Sequence, residues 1–450
     1  MWQIAVPGAT AFFLQTLLNL TDTWFAGRIS TLAQAALSLS FPMFFVLGTF
    51  SIGLANGASA LVGQALGASD RNQARCLAGQ AVFMAAVLGF LLMILGPAIS
   101  RAAFISMGAT EGEYLDLCLQ YMNVIFLAAP VFLGFNITNA LLVVQGDSRS
   151  MRNALAASVG LNFILDWWFV EGGFGLPPLG VGGLALATVT VELGALVFLW
   201  RRLMRTGLFE GGFLTALRPR LNLQKELWRQ SVPPALNQAS VGLGIYIINW
   251  FVGKFGAEAI AAYGVAVRLE QLVLLPALGL SMAMLPLAAQ NDGAGRFDRA
   301  MEARVLSLRW GVKVSVIAFI ILVFGGKILM SLVTPDLGVQ AEGAFFLKFD
   351  ATIFFSYVVL YINVAFLQGL KRPMFAVWIG LYRQIVAPLF VFWLLAFGLD
   401  LGTTGIWLGI ALVTTSGAVI SEIYTRRVVR QKLSQVKFPE QSADETSAIS

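Results

Sequence analysis

The sequence predicts an all-α polytopic membrane protein, with twelve transmembrane helices in two six-helix lobes related by a pseudo-two-fold axis along the membrane normal. Three observations carry this. Of 450 residues, 58% are apolar and only 12% charged, with a mean hydropathy of +0.78; a soluble chain carries about 25% charged residues. The apolar residues run in continuous stretches long enough to cross a bilayer, not in the alternating ten-residue units of a transmembrane barrel. The second half of the chain also repeats the first.

Taken in order, the apolar segments lie near 3–26, 33–64, 76–100, 114–144, 153–171, 179–203, 227–253, 259–289, 304–333, 342–369, 373–398 and 404–426. Several exceed the roughly 20 residues a span needs, so they tilt or project into water. Met1 to Gly27 lacks the basic start and cleavage pattern of a removable signal and carries Asp22. The chain divides into a first lobe (1–203), a basic linker (204–226), a second lobe (227–427) and a tail (428–450), which reads as disordered because it is polar and Ser-rich.

The 30 Lys and Arg residues sort by loop. One alternating set holds Arg71 and Arg75, Arg149 and Arg152, and seven residues from Arg201 to Arg229. It continues with Arg296, Arg299 and Arg304, then Lys371 and Arg372, then five from Arg426 to Lys437, 21 in all. The opposite set holds five: Arg28, Arg101, Lys254, Lys327 and Lys348. The positive-inside rule places the richer set and both termini in the cytoplasm. Topology thus accounts for the net charge of +6, and no nucleic-acid partner is implied. Histidine is absent and only Cys76 and Cys118 occur, which excludes a disulfide framework, Cys/His metal sites and His-based catalysis. No cofactor and no enzymatic activity are expected.

Displaced by 226, residues 4–74 match 230–300 without a gap at 17 identical positions. Gln64 and Gly67-Ala68 lie over Gln290 and Gly293-Ala294. At an offset of 223, Gln145-Gly146 and Arg149 lie over Gln368-Gly369 and Arg372. Two six-span units of like orientation follow. Transporters built from such repeats place substrate near the midplane between or within the halves.

The repeat serves as its own control: residues that differ between halves and ionise at membrane depth are the functional candidates. Asp22 stands opposite Ile248, and Asn162 and Asp166 stand opposite Ile385 and Leu389. Gln15, Asn19 and Asp22 share one helical stripe. Asn162 and Asp166 share a face, as do Tyr121 and Asn139 five turns apart, with Asn136 one turn from Asn139 and Thr188 a weaker addition. A carboxylate at this depth is costly when charged, so the pair takes up a proton or holds a cation. The alternative is that Asp22 and Asp166 only tie helices together. Pro7, in the first turns of span one, can kink the helix that carries Asp22; Pro233 holds the repeat position, so a symmetric scaffold kink is equally open. In span eight Arg268 and Glu270, two apart, do not face each other; Glu192 is one partner open to Arg268, and the role is either a tie or substrate contact. Glu342 and Asp350 are expected to be solvated at the start of span ten.

These residues resemble the multidrug and toxic compound extrusion (MATE) family, most closely its DinF-like branch, over essentially the whole chain. The resemblance rests on the 6+6 duplication, Pro7…Asp22, Gly63-Gln-Ala-Leu-Gly-Ala68, the paired Gln145-Gly…Arg149 and Gln368-Gly…Arg372 turns, and Asn162-x-x-x-Asp166. It implies an antiporter that exports amphipathic, often cationic, compounds in exchange for H⁺ or Na⁺ by rocker-switch alternating access. The ion-linked pocket then falls on Asp22 and Asp166, lined by Gln15, Tyr121, Asn139, Asn162 and Thr188; Na⁺ would sit at Asp22, Asp166, Asn139 and Asn162. Another branch uses acidic residues of spans seven and ten, where only Asn249 and Asn363 are expected at depth here. Relatives usually carry a longer lead before the first span, so the native start lies upstream or the lead is absent. A flippase for lipid-linked saccharides is the alternative, but it calls for several cations in the central cavity, and only Arg268 and Arg383 qualify. The partners expected are membrane lipid and small molecules, with the chain a monomer.

Overall fold

The computed structural model describes residues 1–173 and 175–437. Helix α1 (Trp2–Ile29) is followed by α2 (Thr31–Gly67) and α3 (Arg71–Ser106). The Ser30 and Asp70 side chains cap the last two by accepting from Ala33 N at 2.9 Å and Gln73 N at 2.8 Å. The fourth span is broken. Helices α4 (Glu113–Leu127) and α5 (Ala129–Val144) bend by 50° at Ala128. Pro130 explains the break, because it has no N–H to return to Phe126 and its ring crowds that turn. Helices α6 (Arg149–Glu171) and α7 (Gly180–Met204) complete the first lobe.

The linker is not a bare loop. It contains the short helix α8 (Phe213–Leu217), and α9 (Leu221–Gly253) starts inside it. The second lobe continues with α10 (Ala257–Gly293), α11 (Phe297–Ser331) and α12 (Leu337–Gly369). Then come α13 (Met374–Leu381), a π turn (Tyr382–Val386), α14 (Ala387–Phe392), a second π turn (Trp393–Gly398) and α15 (Gly402–Lys437). Pro388 interrupts the ladder between the π turns, where the backbone shifts to wider bonding. Helix α15 runs past the expected lobe end at 427, because Val428 and Val429 are buried and Arg, Gln and Lys are good helix formers. The rest of the expected tail, 438–450, lies outside the described residues.

Among the described residues, eleven helices are long and apolar enough to cross a membrane, twelve when α4 and α5 count as one span. The side chains form two main cores, one from Ala11 to Leu227 and one that, apart from Ala60, runs from Phe251 to Val429. The lobes meet where α2 packs on α9 and α10, and where α1 packs on α10. Repeat-related residues meet each other across this seam: a Cβ on Gly67 would lie 2.0 Å from the Gln290 carbonyl oxygen, and one on Gly293 would lie 2.1 Å from that of Gln64. The turns that mark the duplication in the sequence are therefore the places where the halves touch.

A buried carboxylate site in the first lobe

Asp22 on α1 faces α6 and α7. It is buried, as are Asn162 and Asp166 on α6, at 1% and 0% exposure. The Thr188 hydroxyl of α7 donates to Asp22 Oδ2 at 3.0 Å and also lies 3.1 Å from the Leu184 carbonyl. Asn162 and Asp166 lie within interaction range of Asp22, and both carboxylates act electrostatically on the buried Tyr121 of α4. The partners present do not use up the oxygens. Asp22 Oδ1, both Asp166 oxygens, Asn139 Oδ1 and Asn162 Nδ2 are buried with no hydrogen-bond partner among the described residues. Buried polar atoms are ordinarily paired, and each orphan costs free energy. The three free carboxylate oxygens of Asp22 and Asp166 fit a place where a proton or a hard monovalent cation is received.

The other predicted members are arranged differently. The bend at Ala128 removes the continuous helix that was to align Tyr121 with Asn139, although both are buried. Gln15 is half-buried, and Asn19 is exposed rather than enclosed with Asp22. Asn136 turns back on its own helix, donating to Phe132 O at 3.0 Å. Pro7 leaves α1 unbroken, fifteen residues or about 22 Å from Asp22. Its missing N–H frees the Gln3 carbonyl, and Ser148 Oγ donates to that oxygen at 2.7 Å.

The second lobe corrects the sequence reading. Asp350 is not solvated: it is 1% exposed on α12, with both oxygens unpartnered. It interacts with the buried Glu270 of α10, and Glu270 with Arg383 and Tyr357. Arg383, on the π turn, stands 5.8 Å from the Tyr357 ring centroid. Arg268 is exposed and makes no ion pair with Glu192 among the described residues. Glu342 accepts from Trp407 Nε1 at 2.9 Å. The missed signal was Asp350, Tyr357 and Tyr361 at 0, +7 and +11, one helical stripe well inside the tenth span. Arg304, counted with the solvated loop cations, is buried at 4% exposure, with Nε donating to Asn363 Oδ1 at 2.9 Å and a guanidinium N–H to Glu422. Among the described residues no three His, Cys, Asp or Glu side chains cluster as for a metal.

The MatE family model matches residues 7–168 and again 233–394, one match in each half. The chain belongs to the MatE family. Members of MatE are transporters, and this chain is a multi-pass membrane transporter rather than an enzyme. It is similar to a probable multidrug resistance protein, YoeA, of Bacillus subtilis: 31% identical over 344 residues, 74% of this chain and 72% of the relative. It is also similar to an FAD transporter of Shewanella oneidensis, 29% identical over 377 residues, 82% of each chain. A crystal structure of MATE in the bent conformation superposes with a TM-score of 0.88 at 22% identity, covering 96% of both chains, which shows a shared two-lobed MatE fold.

Proposed function

We propose that this MatE protein is a cation-coupled antiporter that exports amphipathic, cationic organic compounds from the cytoplasm, with the first-lobe carboxylates as the coupling site, as in the DinF-like branch. The observation that carries this reading is the unpartnered set around Asp22 and Asp166. Two carboxylates with free oxygens bind either a cationic compound or the coupling ion, and the two uses exclude each other.

The Thr188 hydroxyl supplies a device for such an exchange. It has one hydrogen and two acceptors in reach, Asp22 Oδ2 and Leu184 O. With Asp22 ionised, the hydroxyl donates to the carboxylate. With Asp22 protonated, the carboxyl donates to Thr188, whose hydrogen turns to Leu184 O. No partner has to move between the two states. Na⁺ would use the free oxygens of Asp22, Asp166 and Asn139; Asn162 presents Nδ2 rather than its oxygen to the orphaned position, and an amide flip would make it a ligand.

Rocker-switch exchange is supported by where the lobes are bonded. Gln64 Nε2 donates to Asp292 at 3.0 Å and to Gly369 O at 3.2 Å, Asn56 contacts Gln368 at 3.4 Å, and Gln290 donates to Val144 O. These bonds all lie toward the end that carries the linker. With that end in the cytoplasm, as the positive-inside rule places it, the conformation is closed inward.

Proteoliposomes loaded with a fluorescent lipophilic cation test the reading. A proton gradient alone should drive efflux if the pair carries protons, and a Na⁺ gradient should be required if it cages the ion. Asp22→Asn should bring efflux to the empty-liposome level with the fold retained; unchanged efflux would sink the assignment. Asp350→Asn is the parallel variant, since Asp350 also keeps both oxygens unpartnered: loss there alone would move coupling to the second lobe. No efflux of cations on any gradient, with flavin nucleotide transported instead, would favour the chemistry of the FAD-transporting relative; uptake of neither would return attention to lipid-linked saccharides.

A further inference from the structure

On the flank of the seam where α2 and α3 face α9 lies a cleft of ≈ 620 Å³. Its walls are apolar: Phe45 and Phe50 from α2, Leu88 from α3, and Trp228, Leu236 and Leu243 from α9. The hydroxyl of Thr49, which also lines it, is already engaged by Phe45 O at 3.0 Å. Its α9 wall, Trp228 to Leu243, is about 22 Å long. The other hydroxyl of the lining, Ser231, sits against Gly57 of α2, where a Cβ would lie 2.1 Å from its Oγ; the rest of the wall is apolar and suits a hydrocarbon chain.

The end of the cleft nearest the linker is cationic. Lys225 lies one turn before Trp228, at a spacing that shares its helix face, and Arg229 follows it. Both are exposed and in no ion pair among the described residues, while the intervening Glu226 is taken by Lys371 at 3.4 Å. Just upstream, Leu214 and Leu221, exposed at 77% and 83%, flank the exposed Arg218 and Arg220. Apolar side chains interleaved with arginines in this way belong at a membrane–water boundary.

We propose that the cleft binds one anionic diacyl phospholipid, its acyl chain along α9 against α2 and α3 and its phosphate held by Lys225 and Arg229. The charge at the linker end selects the headgroup. Because α2 and α3 belong to one lobe and α9 to the other, the lipid bridges the lobes, and its occupancy follows their relative position.

The test is retention of lipid, which is independent of transport. Purified full-length protein is equilibrated with equal phosphatidylglycerol and phosphatidylcholine, and bound lipid is counted by native mass spectrometry. Wild type should retain phosphatidylglycerol preferentially. Lys225→Gln with Arg229→Gln should lower that preference roughly five-fold per charge removed. Arg430→Gln, at an exposed cation of α15 that does not line the cleft, should not. Photoactivatable acyl-chain phosphatidylglycerol should label peptides spanning 228–243 in wild type, and Ala239→Phe, which fills the cleft, should remove the label. A double charge variant that keeps the wild-type preference, a preference lost equally in Arg430→Gln, or labelling only outside the three walls of the cleft (41–54, 84–88 and 228–245) would each overturn the proposal.

Discussion

The Thr188 hydroxyl reaches Asp22 Oδ2 at 3.0 Å across the α1–α7 contact, and the other Asp22 oxygen is left buried and unpartnered. One half of the carboxylate is thus organised by protein and the other is free for an ion. A hydrogen bond to a charged group contributes about 1.5–3 kcal/mol. Thr188→Val should therefore slow coupled efflux about ten-fold or more, while Thr188→Ser, which keeps the hydroxyl, should stay near wild type. Initial rates in proteoliposomes read both; equal rates for the two variants would remove Thr188 from the site.

The lobes also cross closely where Gly57 of α2 meets α9, and a Cβ there would stand 2.1 Å from Ser231 Oγ. Gly57→Val should lower thermal stability by about 1–3 kcal/mol through overpacking. Gly160→Val is the control, because nothing stands within 4 Å of a Cβ at that position. Melting of the detergent-solubilised variants distinguishes a tight seam from a general intolerance of β-branching.

In the second lobe, Arg304 pairs with Glu422, and Asn363 Nδ2 donates to Glu422 at 3.1 Å and to Ser421 Oγ at 3.2 Å. Glu422 keeps a second cation, Arg426 Nε at 2.7 Å, so Arg304→Gln leaves the carboxylate paired and should cost about 1.5–3 kcal/mol, the contribution of one charged hydrogen bond. Arg304→Gln with Arg426→Gln, which strands the carboxylate, should cost more. Denaturation of the two variants checks the order.

Gln80 of α3 uses all four of its bonding positions on or beside the linker. It donates to Ala216 O at 2.9 Å and Arg218 O at 2.8 Å, and accepts from Arg220 N at 3.0 Å and Gln224 Nε2 at 2.9 Å. Gln80→Leu strands these groups, at about 1–3 kcal/mol for each that stays buried. Amide exchange over 213–224 should accelerate, with exchange in α5 unchanged. A protected linker in this variant would show that the clamp is redundant.

What the sequence determined by itself is what depends on local composition and on repetition. Continuous apolar runs dictate helices because backbone polar groups in lipid must be satisfied within the segment. The duplication dictates two lobes, and Gln64 over Gln290 already marked residues that meet at the seam. Asp22, Asn162 and Asp166 were legible because their repeat partners are apolar. The tertiary structure decided the rest, since the environment of a side chain is set by the helices packed against its own. Arg304 opens an apolar stretch and Asp350 closely follows Lys348, so both read as solvated, yet neighbouring helices enclose them. Asn19 shares a stripe with Asp22, yet α6 and α7 cover only Asp22. Periodicity fixes which residues share a face; only packing decides whether that face meets lipid, water or another charge.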